Sequence, residues 1–393
     1  MKQNIRLFVA GVVLAFLSGC STPRHCQDAG QAVAKYHFQT NTVQAALRAR
    51  AEAPAENIDM LILSGGGSHG AWGAGVLRGW RDNPQNPRPK KFRIVTGVST
   101  GALIATFAFL GEPMDDELLE RAYTTLKTSD IYRKKFLPVA LFSDSLNSSS
   151  PLRHTIKKFI SQETVDRVAR AGREEGRRLY VGTVNHDTGR LVIWDLTAIA
   201  MDETNNNRLG LYRKVLLASA SIPILVPPVE IDGNLYADGG ARAQLFFERR
   251  FLPAFRGIKT RPGEPRTPPP NLTLHVIVNG KLGLGTNCVR DCLLGITTRT
   301  LEMLLDANEF GDLYHIKYVL RLIGFGQFRL SYIPPDVPIT PSEVFDPEMM
   351  GQLFRKGVEF GKTTAKWDDQ IPDPDFEDAL RSLILSSPSR GER

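Results

Sequence analysis

Two stretches constrain this chain more than any others: IDMLILSGGGSHGAWGAGVL, starting at Ile58, and FRIVTGVSTGALIATFAFLG, starting at Phe92. Each opens with a short apolar run of strand length. Each then breaks on a glycine-rich turn and resumes as a small-residue, apolar segment of helical length. The polar loop DNPQNPRPK separates them. Strand, glycine turn and helix, twice in succession, is the pattern of an α/β fold with parallel strands. Further along, RRLYVGTVN and GRLVIWDL flank His186-Asp187-Thr188-Gly189 and predict a hairpin. LTLHVIVNG, from Leu272, reads as a buried strand, TLEMLLDANEFGDLYHIKYVLRLI has helical spacing, and QFRLSYIP alternates like a strand. With 393 residues, 42% hydrophobic and 23% charged, the chain can bury a large core. It shows no internal repeat and nothing that argues for a second catalytic domain. The expected organisation is a leader over residues 1–19, a tether over 20–57, one domain over 58–345, and a C-terminal helix and flexible tail over 346–393.

The chemistry concentrates at the glycine turns. Gly97-Val98-Ser99-Thr100-Gly101 has the glycine–x–serine–x–glycine form of a nucleophile elbow, between a β-branched strand and an apolar helix. A sharp turn there thrusts the Ser99 hydroxyl outward, and the following helix aims its positive N-terminus at the same spot. The alternative is a serine that merely caps its helix. The other turn, Gly65-Gly66-Gly67-Ser68-His69-Gly70, formally matches a dinucleotide-binding loop. That reading wants an acid at the end of the next strand to hold a ribose. The next strand ends in the serine elbow instead, so no cofactor is expected. Consecutive glycines can instead turn backbone N–H groups toward one point, as an oxyanion hole requires.

A serine hydroxyl needs a base. Of the seven histidines, His69 lies within the glycine loop, His186 in a turn, His275 in a strand pattern, His315 in a helical one, and His154 shortly after Pro151. None has a loop context that marks it as the base. One acid stands out: Tyr236-Ala237-Asp238-Gly239-Gly240 ends a short strand, and the two glycines allow close approach. Taken alone, Asp238 reads sooner as an ordinary Asp-Gly turn than as a base.

LILSGGGSHGAWGAGVL, VTGVSTGALIA and ASASIPILVPPVEIDGNLYADGG together resemble, in order and separation, the three blocks of the patatin-like phospholipases. The resemblance implies a three-layer α/β fold, a central mostly parallel sheet flanked by helices, and metal-free hydrolysis of fatty acyl esters of lipids or phospholipids. It implies Ser99 as nucleophile and Asp238 as base in a Ser–Asp dyad. Gly97, Gly101, Gly239 and Gly240 fall on its motif positions. The loop Gly65, Gly66, Gly67, Ser68 and Gly70 becomes the oxyanion hole, with Gly66, Gly67 and Ser68 as the leading donors. An unperturbed aspartate, with a pKa near ~3.9, is poorly matched to a serine hydroxyl, so Asp238 is expected to be desolvated and raised. Two departures stand out. His69 occupies a position where this family usually has Lys or Arg, and Gln244-Leu245-Phe246 lies where an Asn–x–Pro often braces the loop.

The N-terminus carries a different signal. Lys2 and Arg6 precede an apolar run, Leu7 to Leu17, that is short for a membrane span. Leu17-Ser18-Gly19-Cys20 then resembles a bacterial lipobox, which would place a lipid on Cys20; a plain signal peptide with a chance cysteine is the alternative. Ser21 rather than Asp after the cysteine matches sorting to the outer membrane, facing the periplasm. Loss of Lys2 and Arg6 takes the formal charge from +7 to a modest +5. That bears on solubility more than on partners, and no nucleic-acid partner is expected. The segments IYRKKFLPVALF and LFF offer apolar or basic–apolar surface for lipid contact. In an oxidising compartment the spacing of Cys288 and Cys292 fits a local disulfide; a zinc site would need further ligands nearby, and Cys26 stays unassigned. Three functions fit this pattern: a lipid-anchored acyl hydrolase, a non-catalytic envelope lipoprotein that binds lipid or a partner, and an acyltransferase or non-lipid esterase using the same dyad. Oligomeric state has no signature in the sequence.

Overall fold

Alternation along the strands decides the layers. In β1 (Ile58–Leu63), Leu61 and Leu63 enter one hydrophobic core, and Ile58, Met60 and Ile62 enter another on the opposite face. A strand apolar on both faces must be covered on both. The computed structural model describes residues 31–38, 58–135, 145–247, 272–283, 289, 291–323, 326–339, 341–342, 344–363 and 367–372. The remaining strands are β2 (Ile94–Val98), β3 (Arg133–Lys134), β4 (Asn147–Ser148), β5 (Arg178–Asn185), β6 (Arg190–Asp195), β7 (Val229–Ile231), β8 (Asn234–Asp238), β9 (Leu272–Ile277) and β10 (Gln327–Ser331). Eight of them form one sheet in the order β10-β9-β1-β2-β5-β8-β7, with β6 also on β5. β10, β9, β1, β2 and β5 run parallel, and β6, β8 and β7 pair antiparallel. Helices Gly70–Arg81, Thr100–Leu110, Gln162–Glu174, Arg208–Ser219 and Pro347–Gly361 contribute to the core on one face. The long helix Leu293–Ile323 and Leu245 to Phe247 cover the other. This is the expected three-layer arrangement with a mostly parallel sheet, and the hairpin predicted around His186 is β5–β6.

The register explains how distant residues meet. β2 pairs with β5 as far as Val98↔Gly182, and β8 pairs with β5 from Thr183↔Asp238. β6 lies along the other side of the same β5 residues. So β2 and β8 approach head-on along one side of β5, Val98 and Asp238 fall at consecutive rungs, and Ser99 directly follows Val98.

Two segments are more ordered than the sequence suggests. In the stretch read as a tether, Val33 and Tyr36 are buried in the first core, and the Phe38 N–H donates to the Ile193 carbonyl at 2.8 Å, covering the open edge of β6. In the stretch read as a tail, Trp367 stacks 4.8 Å from Trp80, and Asp368 pairs with Leu330 of β10. Leu245, Phe246 and Phe247, offered above as lipid-contact surface, are core residues. The leader, Cys20 and Cys26 lie outside the described residues. Cys292 is exposed, and Cys288, its expected partner, lies outside the described residues.

Candidate active site

Ser99 sits between β2 and the helix Thr100–Leu110 with φ 55° and ψ −126°. A non-glycine residue held in that region is strained, and here the turn on either side holds it. A Cβ on Gly101 would strike the carbonyl oxygens of Leu63 and Ser64, so this glycine lets the elbow helix lie against the end of β1. The Ser99 N–H donates to Ser219 Oγ at 3.0 Å, and the Ser219 hydroxyl donates to the Gly182 carbonyl at 2.8 Å. Ser219 therefore ties the strained turn to β5. Ser219 falls within the block ASASIPILVPPVEIDGNLYADGG, but nothing in that block marks it as the partner of the Ser99 amide.

Asp238 closes β8. Its N–H donates to the Ser221 carbonyl at 2.9 Å, and its Oδ1 accepts from the Gly240 N–H at 2.8 Å. Oδ2 is buried and has no hydrogen-bond partner among the described residues. Ser99 is a hydrogen-bonding neighbour of the carboxyl and lowers its pKa, while Oδ2 itself keeps no partner. Burial pushes the Asp238 carboxyl up to about 7, against smaller lowering effects from Ser99 and the Gly240 amide. The elevation expected from desolvation is present.

The glycine loop lies alongside. Gly66 has φ 140° and Gly67 φ 56°, and a Cβ at either would collide with a backbone carbonyl, Asn279 or Ser342 respectively. The N–H groups of Gly65, Gly66 and Gly67 have no hydrogen-bond partner among the described residues. Two of the expected donors differ. The Ser68 N–H is bonded to the Ser342 carbonyl at 2.8 Å, and the Gly70 N–H is bonded to the carbonyls of Gly67 and Ser68. These two amides shape the turn and are not free to meet a ligand.

Two spaces converge on Ser99 and Gly67. One is apolar, lined by Leu103, Phe107, Leu119, Tyr123, Ile131 and Phe159, with a volume of about 100 Å³. The other is an open polar cleft of about 480 Å³, bounded by Asp238, His69, Gln244, Asn279, Lys281 and the 299–309 face of the long helix. Of the basic–apolar segment from Ile131, Ile131 thus lines the apolar space, and Arg133 and Lys134 are exposed in β3; residues 136–142 lie outside the described residues. His69 is the imidazole lining the cleft among the described residues. His275 is buried on β9 with Nε2 2.7 Å from Asp59 Oδ1, and burial lowers its pKa.

The loop after Asp238 is braced by the long helix. Asp312 Oδ2 accepts the N–H groups of Gln244 and Leu245 at 2.6 and 3.0 Å, and Asn308 Nδ2 donates to the Gly240 carbonyl at 3.3 Å. The carboxylate does here what an Asn–x–Pro would do from within the loop. Glycine 239 fits because a Cβ would press on the Gly182 carbonyl. Among the described residues there is no group of three metal-ligating side chains.

An α/β fold with a strained serine, a buried carboxyl beside it, open glycine amides and an apolar pocket defines a candidate acyl-transfer site. Residues 61–249, a little under half of the chain, match the family model Patatin, described as patatin-like phospholipase. A protein of Acanthamoeba polyphaga mimivirus, "Uncharacterized protein R571", is 28% identical over 186 residues, covering 47% of this chain and 58% of the viral protein. The chain thus spans little more than half the length of that relative. Among solved structures, "Crystal structure of VipD from Legionella pneumophila" aligns with 12% identity over 85% of this chain and 75% of VipD, at a TM-score of 0.36.

Proposed function

We propose that the protein is a serine acyl hydrolase that cleaves fatty acyl esters of lipids, phospholipids included, through Ser99 and Asp238. The observation that supports this most is the register that brings the end of β2, just before Ser99, and Asp238 to consecutive rungs of β5, with Ser99 beside a carboxyl raised to about 7. A base that titrates near working pH is matched to its task. Asp238 takes the proton as Ser99 Oγ bonds to the acyl carbon. The carbonyl electrons move onto the oxygen, where the amides of Gly66 and Gly67 stabilise them. The tetrahedral species collapses, the ester C–O bond breaks, and the departing alcohol takes the proton from Asp238. Water then attacks the acyl-enzyme with Asp238 again as base, the bond between the acyl carbon and Ser99 Oγ breaks as Ser99 recovers the proton from Asp238, and the fatty acid leaves. The apolar space holds the acyl chain, and the polar cleft receives the alcohol or headgroup side.

The same reading anchors the protein through lipid on Cys20 to a bacterial envelope, at the periplasmic face of the outer membrane. Support comes from the lipobox sequence alone. No helix of the described residues is long and apolar enough to cross a membrane.

The test is fluorophosphonate labelling together with fatty acid release from vesicles of mixed phospholipids. Ser99→Ala removes both. Asp238→Asn lowers release by roughly 10²–10⁴-fold, the range for loss of a general base. Cys20→Ala moves the protein to the soluble fraction. Undiminished release by Ser99→Ala would end the proposal, and transfer of the acyl group to added glycerol in preference to water would make the enzyme an acyltransferase.

A further inference from the structure

Two residues that line the polar cleft bury an oxygen with no hydrogen-bond partner among the described residues: Asp238, through Oδ2, and Gln244, through Oε1. The proposed mechanism uses the first and not the second. Gln244 is 9% exposed, and its backbone is already held, since Asp312 Oδ2 accepts its N–H at 2.6 Å. The loop is thus braced at Gln244 through the main chain, and the side chain is left for another task. An amide oxygen buried without a partner costs free energy, so packing alone does not explain a glutamine at this place.

Two glycines fix where that oxygen lies. A Cβ on Gly65 would stand 2.2 Å from Gln244 Oε1 and 3.4 Å from Ser99 Cβ. Gly65 is not among the glycines of positive φ, so its backbone does not call for glycine; the nearest obstruction to a side chain there is Oε1 itself. A Cβ on Gly240 would stand 3.0 Å from Oε1 and 3.1 Å from Asp238 Oδ1. The carboxamide therefore lies between the glycine loop and the Asp238 turn, beside both reacting side chains.

The second half of the reaction needs a water at this spot, with one hydrogen toward Asp238 and a lone pair toward the acyl carbon on Ser99. That leaves its other hydrogen to be placed. From the two unpartnered acceptors we infer that Gln244 is a catalytic residue for deacylation, whose Oε1 accepts the second hydrogen of the attacking water and so selects water over an alcohol. The inference rests on the Ser99–Asp238 hydrolase reading. The water oxygen bonds to the acyl carbon, one hydrogen passes to Asp238, and the other stays on the new carboxylic acid, held by Oε1. The bond to Ser99 Oγ then breaks, and Ser99 recovers the proton from Asp238. Gln244 neither gains nor loses a proton. An alcohol has a single hydroxyl hydrogen, which Asp238 must take, and it would set carbon against Oε1. A site built around a hydrogen bond discriminates against the analogue that cannot make it.

The experiment gives full-length wild type and Gln244→Met, which keeps the side-chain length and removes the acceptor, a p-nitrophenyl ester of a fatty acid, with and without methanol. Nitrophenol release in the first turnover reports acylation, the steady-state rate reports deacylation, and the ratio of methyl ester to acid reports the choice of nucleophile. Gln244→Met should acylate at close to the wild-type rate and deacylate in water about 10–100-fold more slowly, the range for one lost hydrogen bond to the reacting group. Its ratio of methyl ester to acid should rise by a similar factor, whereas wild type should give less methyl ester than the molar share of methanol. First turnover and steady state slowed alike, or an unchanged product ratio, overturns the inference. Wild type that takes methanol in preference to water overturns it as well, whether or not Gln244→Met folds. These failures leave an acyl-enzyme on Ser99 and the hydrolase reading intact. If mass spectrometry finds no acyl group on Ser99 of the wild type, that reading fails and the inference falls with it.

Discussion

Asp238 is under opposing demands. The free side chain titrates near ~3.9, whereas in the folded protein burial lifts it to about 7. Between these values the native state holds a proton that the unfolded state has released. Stability therefore falls as pH rises through that window and stays at the lower level above about 7. At ~1.4 kcal/mol per unit the penalty is on the order of a few kcal/mol, a large share of the margin of a typical domain. Asp238→Asn removes the charge and keeps the shape. Its thermal midpoint should match wild type near pH 4 and exceed it increasingly toward pH 8, and fatty acid release should fall in the same samples. A midpoint difference that does not change with pH would show that the carboxyl titrates as an ordinary surface acid. The carboxyl suited to receive a serine proton at neutral pH is thus one that weakens the fold at that pH.

At the level of elements, the site is built where strands end and glycine turns begin, and this is also what could be read in advance. The elbow, the glycine loop and the Asp-Gly-Gly turn are local signals, each within a few residues. The contacts that hold them in place are not local. Ser64 meets Asn279, Ser99 meets Ser219, and the loop after Asp238 meets Asp312. Apart from Ser219 none of these partners lies in a motif, and each is selected by the packing of an element remote in sequence. The same limit explains the two misassigned donors, since only the folded turn shows that the Ser68 and Gly70 amides are already bonded. Asp312 gives the test at this scale. Its removal leaves two buried-side N–H groups without an acceptor, worth ~1–3 kcal/mol each. Asp312→Ala should lower kcat, with Asp238 displaced, far more than it raises KM. Retention of wild-type kcat would mean that the loop holds its shape unaided.

At the level of the whole molecule, the family match ends at residue 249, but the folded unit does not. β9 and β10 extend the sheet beyond β1, and the helix Pro347–Gly361 is packed backbone to backbone against Gly70–Arg81. A Cβ on Gly75 or Gly79 would meet the carbonyls of Phe354 or Val358, and one on Gly357 or Gly361 would meet the carbonyls of Trp72 or Val76. Paired glycines four apart on both helices create a seam that side chains would force open. Met350, Leu353 and Phe354 are buried beside it. At ~1.5–3 kcal/mol for each large apolar side chain buried, this one helix accounts for much of a stability margin of ~5–15 kcal/mol. The helix it packs against begins at Gly70, directly after the glycine loop, so loosening the seam should reach the site. A chain ending at residue 345 should fail to give a cooperative thermal transition and should not label with fluorophosphonate. Gly357→Val, which keeps the whole chain but wedges the seam, should lower the thermal midpoint by several degrees and lower labelling in step. A soluble, fully labelled 1–345 protein would reduce the C-terminal helix to an accessory. Failure of both variants with Ser99 intact would show that the catalytic turn depends on a helix beyond the matched segment.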